Sequence, residues 1–225
     1  MIDLEFLDIY RENIAILWIR KAITSLFYFR GYRILHPDRP WYMPKAHRFL
    51  ETKISGIERV FEYGSGDSSL WFAERVKEYI AVEHDQTWHA KVTKALAERN
   101  LTNARIHYIP ADKDTGRFDW QKDWPYFDLL KHPPEGPEYR KYMAAIDQYP
   151  DDHFDCIIID GRARVACLLH ALPKLSKNGI IIFDDSAIYH FQEIFTLLAD
   201  WYKLNFRFGL GQTTFFARQK ELLTW

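Results

Sequence analysis

The sequence predicts an α/β fold in which a mostly parallel sheet carries helices on both faces and ends in an antiparallel hairpin. Three observations support this prediction. Apolar segments alternate with helical patterns from Ile57 onward, a Gly-x-Gly turn follows the first apolar segment, and no helical pattern separates the last two apolar segments. At 225 residues the chain is long enough for one such domain with a sizeable core.

The predicted elements follow one another regularly along the chain. Most of the strands are near-continuous apolar runs, which is typical of parallel strands covered on both faces. In order, we predict strand 57–63, helix 68–75, strand 79–83, helix 87–99, strands 105–109 and 155–159, helix 163–175, strand 179–183, helix 188–202, and strands 205–208 and 213–217. Gly209 and Gly211 predict a tight turn between the last two strands, which makes seven strands with an antiparallel pair at one edge.

Residues 1–53 are predicted to form an N-terminal helical extension and linker, and residues 54–225 the main domain. The extension contains two apolar runs, 14–19 and 23–29, which Arg20 and Lys21 interrupt, so it is too short to span a bilayer. One interpretation is a helix that packs on the main domain or on the second subunit of a homodimer. The other is an interfacial helix that lies at a membrane surface. The breaks in the helical pattern that predict the linker are Pro37, Pro40 and Pro44.

A second unusual segment is the aromatic-rich insertion at about residues 112–152, which is long for a connection in a compact domain. It is either a lid that excludes water from a ligand or a surface insertion with a small core of its own.

Composition excludes some classes of partner. The net charge of −1 does not favour a nucleic-acid partner. Both cysteines, Cys156 and Cys167, lie in predicted buried elements and are expected to be small core residues of an intracellular protein. The N-terminus lacks the basic region of a signal peptide. We therefore expect a cytoplasmic protein, with membrane association through the N-terminal helices as an alternative.

The Gly-x-Gly turn at residues 64–66, here called the glycine turn, carries most of the functional signal. It has the geometry of a nucleotide-binding loop between a strand and a helix. However, Glu62 would repel a pyrophosphate, and Ser69 stands where the dinucleotide fingerprint has its third glycine. The pattern therefore favours a nucleoside with a cationic tail, and it argues against a nicotinamide-dependent dehydrogenase.

Glu83 ends the second predicted strand, where a carboxylate can accept hydrogen bonds from the two hydroxyls of a ribose. The alternative interpretation is a surface carboxylate in a Glu-His-Asp turn. Asp85 is the second candidate for the ribose contact.

Together, Glu62-x-Gly64-x-Gly66, Glu83 and Asp160-Gly161 resemble the class I S-adenosylmethionine-dependent methyltransferases, over residues 57–218. The motifs at 61–66 and 160–164 are similar to those of a bacterial group suspected of acting on sugars or other cell-surface glycans. The resemblance implies a Rossmann-like seven-stranded sheet and the cofactor S-adenosylmethionine. The residues expected to contact this cofactor are Glu62, Gly64, Ser65, Gly66, Ser68, Glu83, Asp112 and Asp160. Among them, Glu62 is expected near the ammonium group, Ser68 at the carboxylate and Asp112 at the adenine amino group.

Asp160, Asp184 and Asp185 lie at the ends of the fourth and fifth parallel strands, so we expect their carboxylates to converge. The metal-dependent members of the family have acids at these positions, and the resemblance makes all three candidate ligands of Mg²⁺. Alternatively, Arg162 and Arg164 pair with these carboxylates and make a metal unnecessary.

The expected activity is methyl transfer to an oxygen of a small molecule or glycan. Asp160, Asp185 and His190 are the candidate catalytic residues, with His190 as a general base or simply a surface residue. A binding protein that keeps the cofactor pocket without catalysis is the alternative outside the enzyme class.

Overall fold

A computed structural model describes residues 30–36, 39–112, 139–188, 191–208 and 211–225. They form one seven-stranded sheet in the order β3-β2-β1-β4-β5-β7-β6. Strands β1 to β5 pair in parallel, whereas β7 runs antiparallel to β5 and β6. The strands are β1 (Arg59–Tyr63), β2 (Glu78–Glu83), β3 (Ala104–Tyr108), β4 (Phe154–Ile159), β5 (Leu175–Phe183), β6 (Tyr202–Phe208) and β7 (Gly211–Ala217). The predicted Rossmann-like α/β fold with its antiparallel hairpin is confirmed.

The α-helices of the described residues are α1 (Arg30–Leu35), α2 (Pro44–Lys53), α3 (Asp67–Ala73), α4 (Gln86–Glu98), α5 (Arg140–Met143), α6 (Arg164–Ala171) and α7 (Glu193–Leu197). Short 3-10 helices lie at Ile54–Gly56, Ala144–Gln148 and Lys220–Leu223. Two predicted helices, 163–175 and 188–202, were too long. The first ends at Ala171, just before Pro173, because proline has no backbone N–H to donate to the preceding helical turn. The second ends at Leu197 because Tyr202 pairs with Ala217 in the sheet.

The sheet separates two hydrophobic cores. Alternate residues of a strand point to opposite faces, so Val60 of β1 lies in one core and Phe61 in the other. Helices α2, α3 and α4 contribute to the first core, and α5, α6 and α7 to the second. The candidate site residues lie at the carboxyl ends of the strands, on the same face of the sheet as the first core.

Helix α2 belongs to the main domain, which corrects the prediction of a linker at Pro44. Pro44 begins this helix, where its missing N–H costs nothing. Phe49 of α2 is fully buried, and its ring lies 5.1 Å from that of Phe215 in β7. The core therefore begins about ten residues before the predicted domain boundary at residue 54.

Several predicted features lie outside the described residues. These are the apolar runs 14–19 and 23–29, most of the insertion (113–138), His190 and Gly209. In the described part of the chain, no helix combines the length and the apolar character needed to cross a membrane.

Candidate cofactor site and strand-end acids

A cavity of about 540 Å³ opens at the carboxyl ends of β1, β2 and β4. This is the edge at which open parallel sheets bind their ligands. The lining residues are Gly64, Ser65, Glu83, His84, Asp85, Thr87, Trp88, Asp160, Gly161 and Arg162. Four of the predicted cofactor residues, Gly64, Ser65, Glu83 and Asp160, are therefore brought together.

Two glycines allow the loops after β1 and β4 to touch. Gly64 has a φ of +108°, a conformation that side chains rarely adopt, and a Cβ there would lie 3.2 Å from the Gly161 nitrogen. A Cβ on Gly161 would overlap the Tyr142 hydroxyl and approach the Gly64 nitrogen to 3.0 Å. The close approach explains the glycine requirement at both positions.

Glu83 is an anchored carboxylate in the cavity wall. Its Oε1 accepts the backbone N–H groups of His84 (2.8 Å) and Asp85 (2.9 Å), and its Oε2 accepts the Ser65 hydroxyl at 2.9 Å. Burial alone would raise the pKa of Glu83, but the bonds from His84, Asp85 and Ser65 outweigh it and lower the pKa. Glu83 is therefore ionised at neutral pH. Asp85, the second candidate, instead caps α4 by accepting the Trp88 N–H at 2.8 Å.

Glu62 lies beneath the glycine turn and not in the cavity wall. It is 1% exposed, accepts the Ser68 hydroxyl at 2.7 Å and also accepts the Tyr79 hydroxyl. Burial raises the pKa of Glu62 to about 8, although both hydrogen bonds oppose the shift. Glu62 was predicted near the cofactor ammonium and Ser68 at its carboxylate. In the structure the two side chains instead bind each other and support the turn. Gly66, whose N–H binds the Ser69 hydroxyl, also lies outside the lining.

Asp160, Asp184 and Asp185, here called the strand-end acids, do converge. Burial raises the pKa of Asp160 to about 6; Arg164 opposes the shift, and Asp185 and Glu83 add to it. Asp184 is 8% exposed and accepts the Thr213 hydroxyl at 2.5 Å. Its pKa is raised well above the usual range, first by burial and then by Asp160 and Asp185. Asp185 has a φ of +54° and a side chain that is 47% exposed.

The arrangement of these acids does not fit a divalent cation. Within the described ranges, no three or more His, Cys, Asp or Glu side chains are grouped so as to hold a metal ion. The Arg164 guanidinium lies between the carboxylates, 3.2 Å from Asp160 Oδ1 and 3.7 Å from Asp185 Oδ2. The geometry matches the alternative in which arginine pairs with the acids.

Asp112 is not part of the cavity wall. Its Oδ2 accepts the backbone N–H of Lys141 at 3.2 Å, and its Oδ1 lies 3.7 Å from the Lys141 ammonium. Asp112 is therefore not among the described lining residues, and its contact with an adenine amino group stays a prediction.

Five lining residues were predicted neither as cofactor contacts nor as the second ribose candidate: His84, Thr87, Trp88, Gly161 and Arg162. The Trp88 indole donates to the Ser65 carbonyl at 2.5 Å, which ties α4 to the glycine turn. Arg162 reaches across from the loop after β4, and its Nε lies 3.3 Å from His84 Nε2. His84, Gly161 and Arg162 closely follow the ends of β2 and β4, and this position is the signal that could have identified them. Thr87 and Trp88 lie in α4 and carry no such signal.

The strand order and the cavity at the ends of β1, β2 and β4 define an α/β protein of the class I methyltransferase type. A family model described as a methyltransferase domain matches residues 61–186, more than half of the chain, and the chain belongs to this family. It is thus a methyltransferase whose family implies S-adenosylmethionine as the methyl donor, and the dehydrogenase alternative is not supported.

Solved structures show the same fold. A methyltransferase-like protein from Silicibacter pomeroyi is 22% identical, with a TM-score of 0.54 over 78% of this chain and 87% of that one. A candidate caffeoyl-CoA O-methyltransferase from Staphylococcus aureus is 12% identical, with a TM-score of 0.55 over 89% and 99%. A methyltransferase from Geobacter sulfurreducens is 14% identical, with a TM-score of 0.51 over 76% of each chain. The search of curated proteins found no match.

Proposed function

We propose that the protein transfers the methyl group of S-adenosylmethionine to an oxygen of a small molecule or glycan. One observation carries the proposal: a group of carboxylates, Asp160, Asp184 and Asp185, lies at the strand ends beside the cofactor cavity. A carboxylate at this edge of the sheet can take the proton that leaves an acceptor hydroxyl.

The cavity suits this cofactor chemically. Three acidic side chains, Glu83, Asp85 and Asp160, lie in its wall, which favours a cation and disfavours a pyrophosphate. Ionised Glu83 would accept hydrogen bonds from the ribose, and Asp160 would bind the ammonium group. When bound, S-adenosylmethionine supplies an electrophilic methyl group.

The work of the protein is then to orient the acceptor and to receive its proton. In such a transfer the acceptor oxygen would bond to the methyl carbon as the bond from that carbon to the cofactor sulfur breaks, which leaves the demethylated cofactor and the hydroxyl proton to be accepted. Asp185, the most exposed of the three acids, would hold the acceptor hydroxyl and take its proton. His190 remains a second candidate base. Alignment of the reacting atoms supplies most of the acceleration in such a displacement.

Calorimetry with S-adenosylhomocysteine tests the cofactor assignment. The Glu83→Gln variant should weaken binding about tenfold or more, because a hydrogen bond to a charged group contributes roughly 1.5–3 kcal/mol. Glu78→Gln is the matched control, since Glu78 lies at the opposite end of β2 and is 3.4 Å from the His153 ring. Binding of NADH without binding of S-adenosylhomocysteine would contradict the assignment.

The glycan acceptor and the role of the N-terminal segment are further parts of the proposal. The similarity of the motifs at 61–66 and 160–164 to the glycan-associated group supports a sugar acceptor. Transfer of a radioactive methyl group to nucleotide sugars, with catechols as the comparison, tests the sugar acceptor.

Sedimentation and vesicle binding of a chain that begins at residue 36 would test a dimer or membrane contact of the N-terminal segment. Behaviour that is unchanged from that of the full chain counts against both.

A further inference from the structure

Arg164 connects the ends of β4 and β5 through one partly buried guanidinium. Its Nε donates to the Gly161 carbonyl at 3.0 Å, its Nη1 to the Asp184 carbonyl at 2.6 Å, and its Nη2 to the Asp160 carbonyl at 3.1 Å. Two ion pairs add to these hydrogen bonds, with the carboxylates of Asp160 at 3.2 Å and Asp185 at 3.7 Å. The planar guanidinium, with its five N–H donors, is suited to contact several oxygens at once.

The position of Arg164 in the chain is not explained by helix stability. Arg164 is the first residue of α6, where a positive charge is unfavourable because the helix dipole is already positive there. The side chain turns back toward the residues that precede the helix, lies 5.2 Å from the centre of the Phe191 ring, and is only 12% exposed. The contacts of Arg164 at the strand ends therefore account for an arginine at this position better than helix stability does.

The loops on both sides of the guanidinium hold unusual backbone conformations. Ala163, directly before Arg164, has a φ of +50°, and Asp185 has a φ of +54°. Residues with a side chain rarely adopt such a conformation, because their Cβ comes too close to the following carbonyl oxygen. Strain of this kind persists only where the surroundings impose it, and it concentrates at functional sites.

We propose that Arg164 is a positioning residue that holds Asp160 and Asp185 at the edge of the cavity and acts as their permanent counter-ion, in the place where a divalent cation would otherwise lie. The expected effect of Arg164 on cofactor binding rests on the proposed function, because it acts through Asp160, which lines the cavity.

The charges around Asp160 support a counter-ion. Asp185 and Glu83 raise the pKa of Asp160, and Asp160 in turn raises those of Glu62 and Asp184. Arg164 opposes the shifts of both Asp160 and Asp184. Without this guanidinium, the strand-end acids would repel one another or bind protons, and the cavity would lose an ionised carboxylate.

Matched arginine variants test the positioning role. Arg164→Gln should weaken S-adenosylhomocysteine binding about tenfold, since a charged hydrogen-bond partner of Asp160 is lost. Arg164→Lys should fall between Arg164→Gln and the wild type, because lysine keeps the charge but has only three donors. Arg218→Gln is the control: that guanidinium also binds backbone carbonyls, of Leu172 and Leu175, and lies 4.8 Å from the Trp201 ring, but it is remote from the acids.

Both Gln variants should lose thermal stability, whereas only Arg164→Gln should lose affinity. Equal loss of affinity in the two would overturn the positioning role, as would wild-type affinity in Arg164→Gln.

The counter-ion role is tested without cofactor. Electron paramagnetic resonance of free Mn²⁺ should be unchanged by wild-type protein, and one Mn²⁺ bound at the strand-end acids would overturn the proposal. If wild-type protein fails to bind S-adenosylhomocysteine, the proposed function fails, and the Mn²⁺ measurement still decides whether Arg164 replaces a metal.

Discussion

Replacing Gly161 with alanine tests the close approach on which the cavity depends. The new Cβ would overlap the Tyr142 hydroxyl and would lie 3.0 Å from both the Gly64 nitrogen and the Tyr63 carbonyl carbon. The backbone cannot easily retreat, because the Asp160 N–H donates to the Tyr63 carbonyl at 3.0 Å and ties the two strands together.

Overpacking of this kind typically costs about 1–3 kcal/mol, and two backbone contacts place Gly161→Ala toward the upper end. For a domain of this size, each kcal/mol lowers the melting temperature by about 2–4 °C, so we expect a fall of roughly 4–12 °C. Because Gly161 also lines the cavity, binding of S-adenosylhomocysteine should weaken as well.

Thermal denaturation and calorimetry measure the two effects, with Gly56→Ala as the control. A Cβ on Gly56 meets nothing within 4 Å, so that variant should match the wild type. Adding Tyr142→Phe to Gly161→Ala should recover part of the loss, since it removes the overlapping hydroxyl. A Gly161→Ala protein as stable as Gly56→Ala would refute the reasoning.

Two further predictions concern the core and the buried acid. Glu62 has a folded-state pKa of about 8, above its ordinary value, so stability should fall as pH rises from about 5 to 8, by at most about 1.4 kcal/mol per pH unit. Glu62→Gln should flatten this dependence in denaturation curves measured across that range; parallel curves for the two proteins would contradict it. Phe49→Ala should cost about 3–5 kcal/mol in chemical denaturation because the ring is fully buried, whereas Leu35→Ala, at a residue that is 74% exposed, should cost little. A small loss for Phe49→Ala would mean that α2 is an appendage.

The strands were predictable because their signal is local. Apolar runs such as Ile157–Ile159 form parallel strands wherever both faces are covered, and their observed limits differ from the predicted ones by a few residues. The helix ends were less predictable. The end of α7 depends on the pairing of Tyr202 with Ala217, a contact between residues that are distant in the chain.

The candidate site divides in the same way. Glu83 is the last residue of β2, and Gly64, Ser65 and Asp160 directly follow β1 and β4; a parallel sheet brings such positions to one edge. Glu62 has the same residue type as Glu83 but a different role, because the Tyr79 hydroxyl from β2 binds it beneath the turn. Nothing adjacent to Glu62 in the chain indicates that partner.

The sequence by itself determined the fold class and the glycine turn, because these depend on periodicity and on spacing along the chain, and its motifs resembled those of the family to which the chain belongs. Only the tertiary structure decided which acids face the cavity, how burial shifts their pKa values, and that Arg164 lies between Asp160 and Asp185. The physical reason is that charge interactions and desolvation depend on distances in space, and those distances exist only after β4, β5 and α6 have packed together.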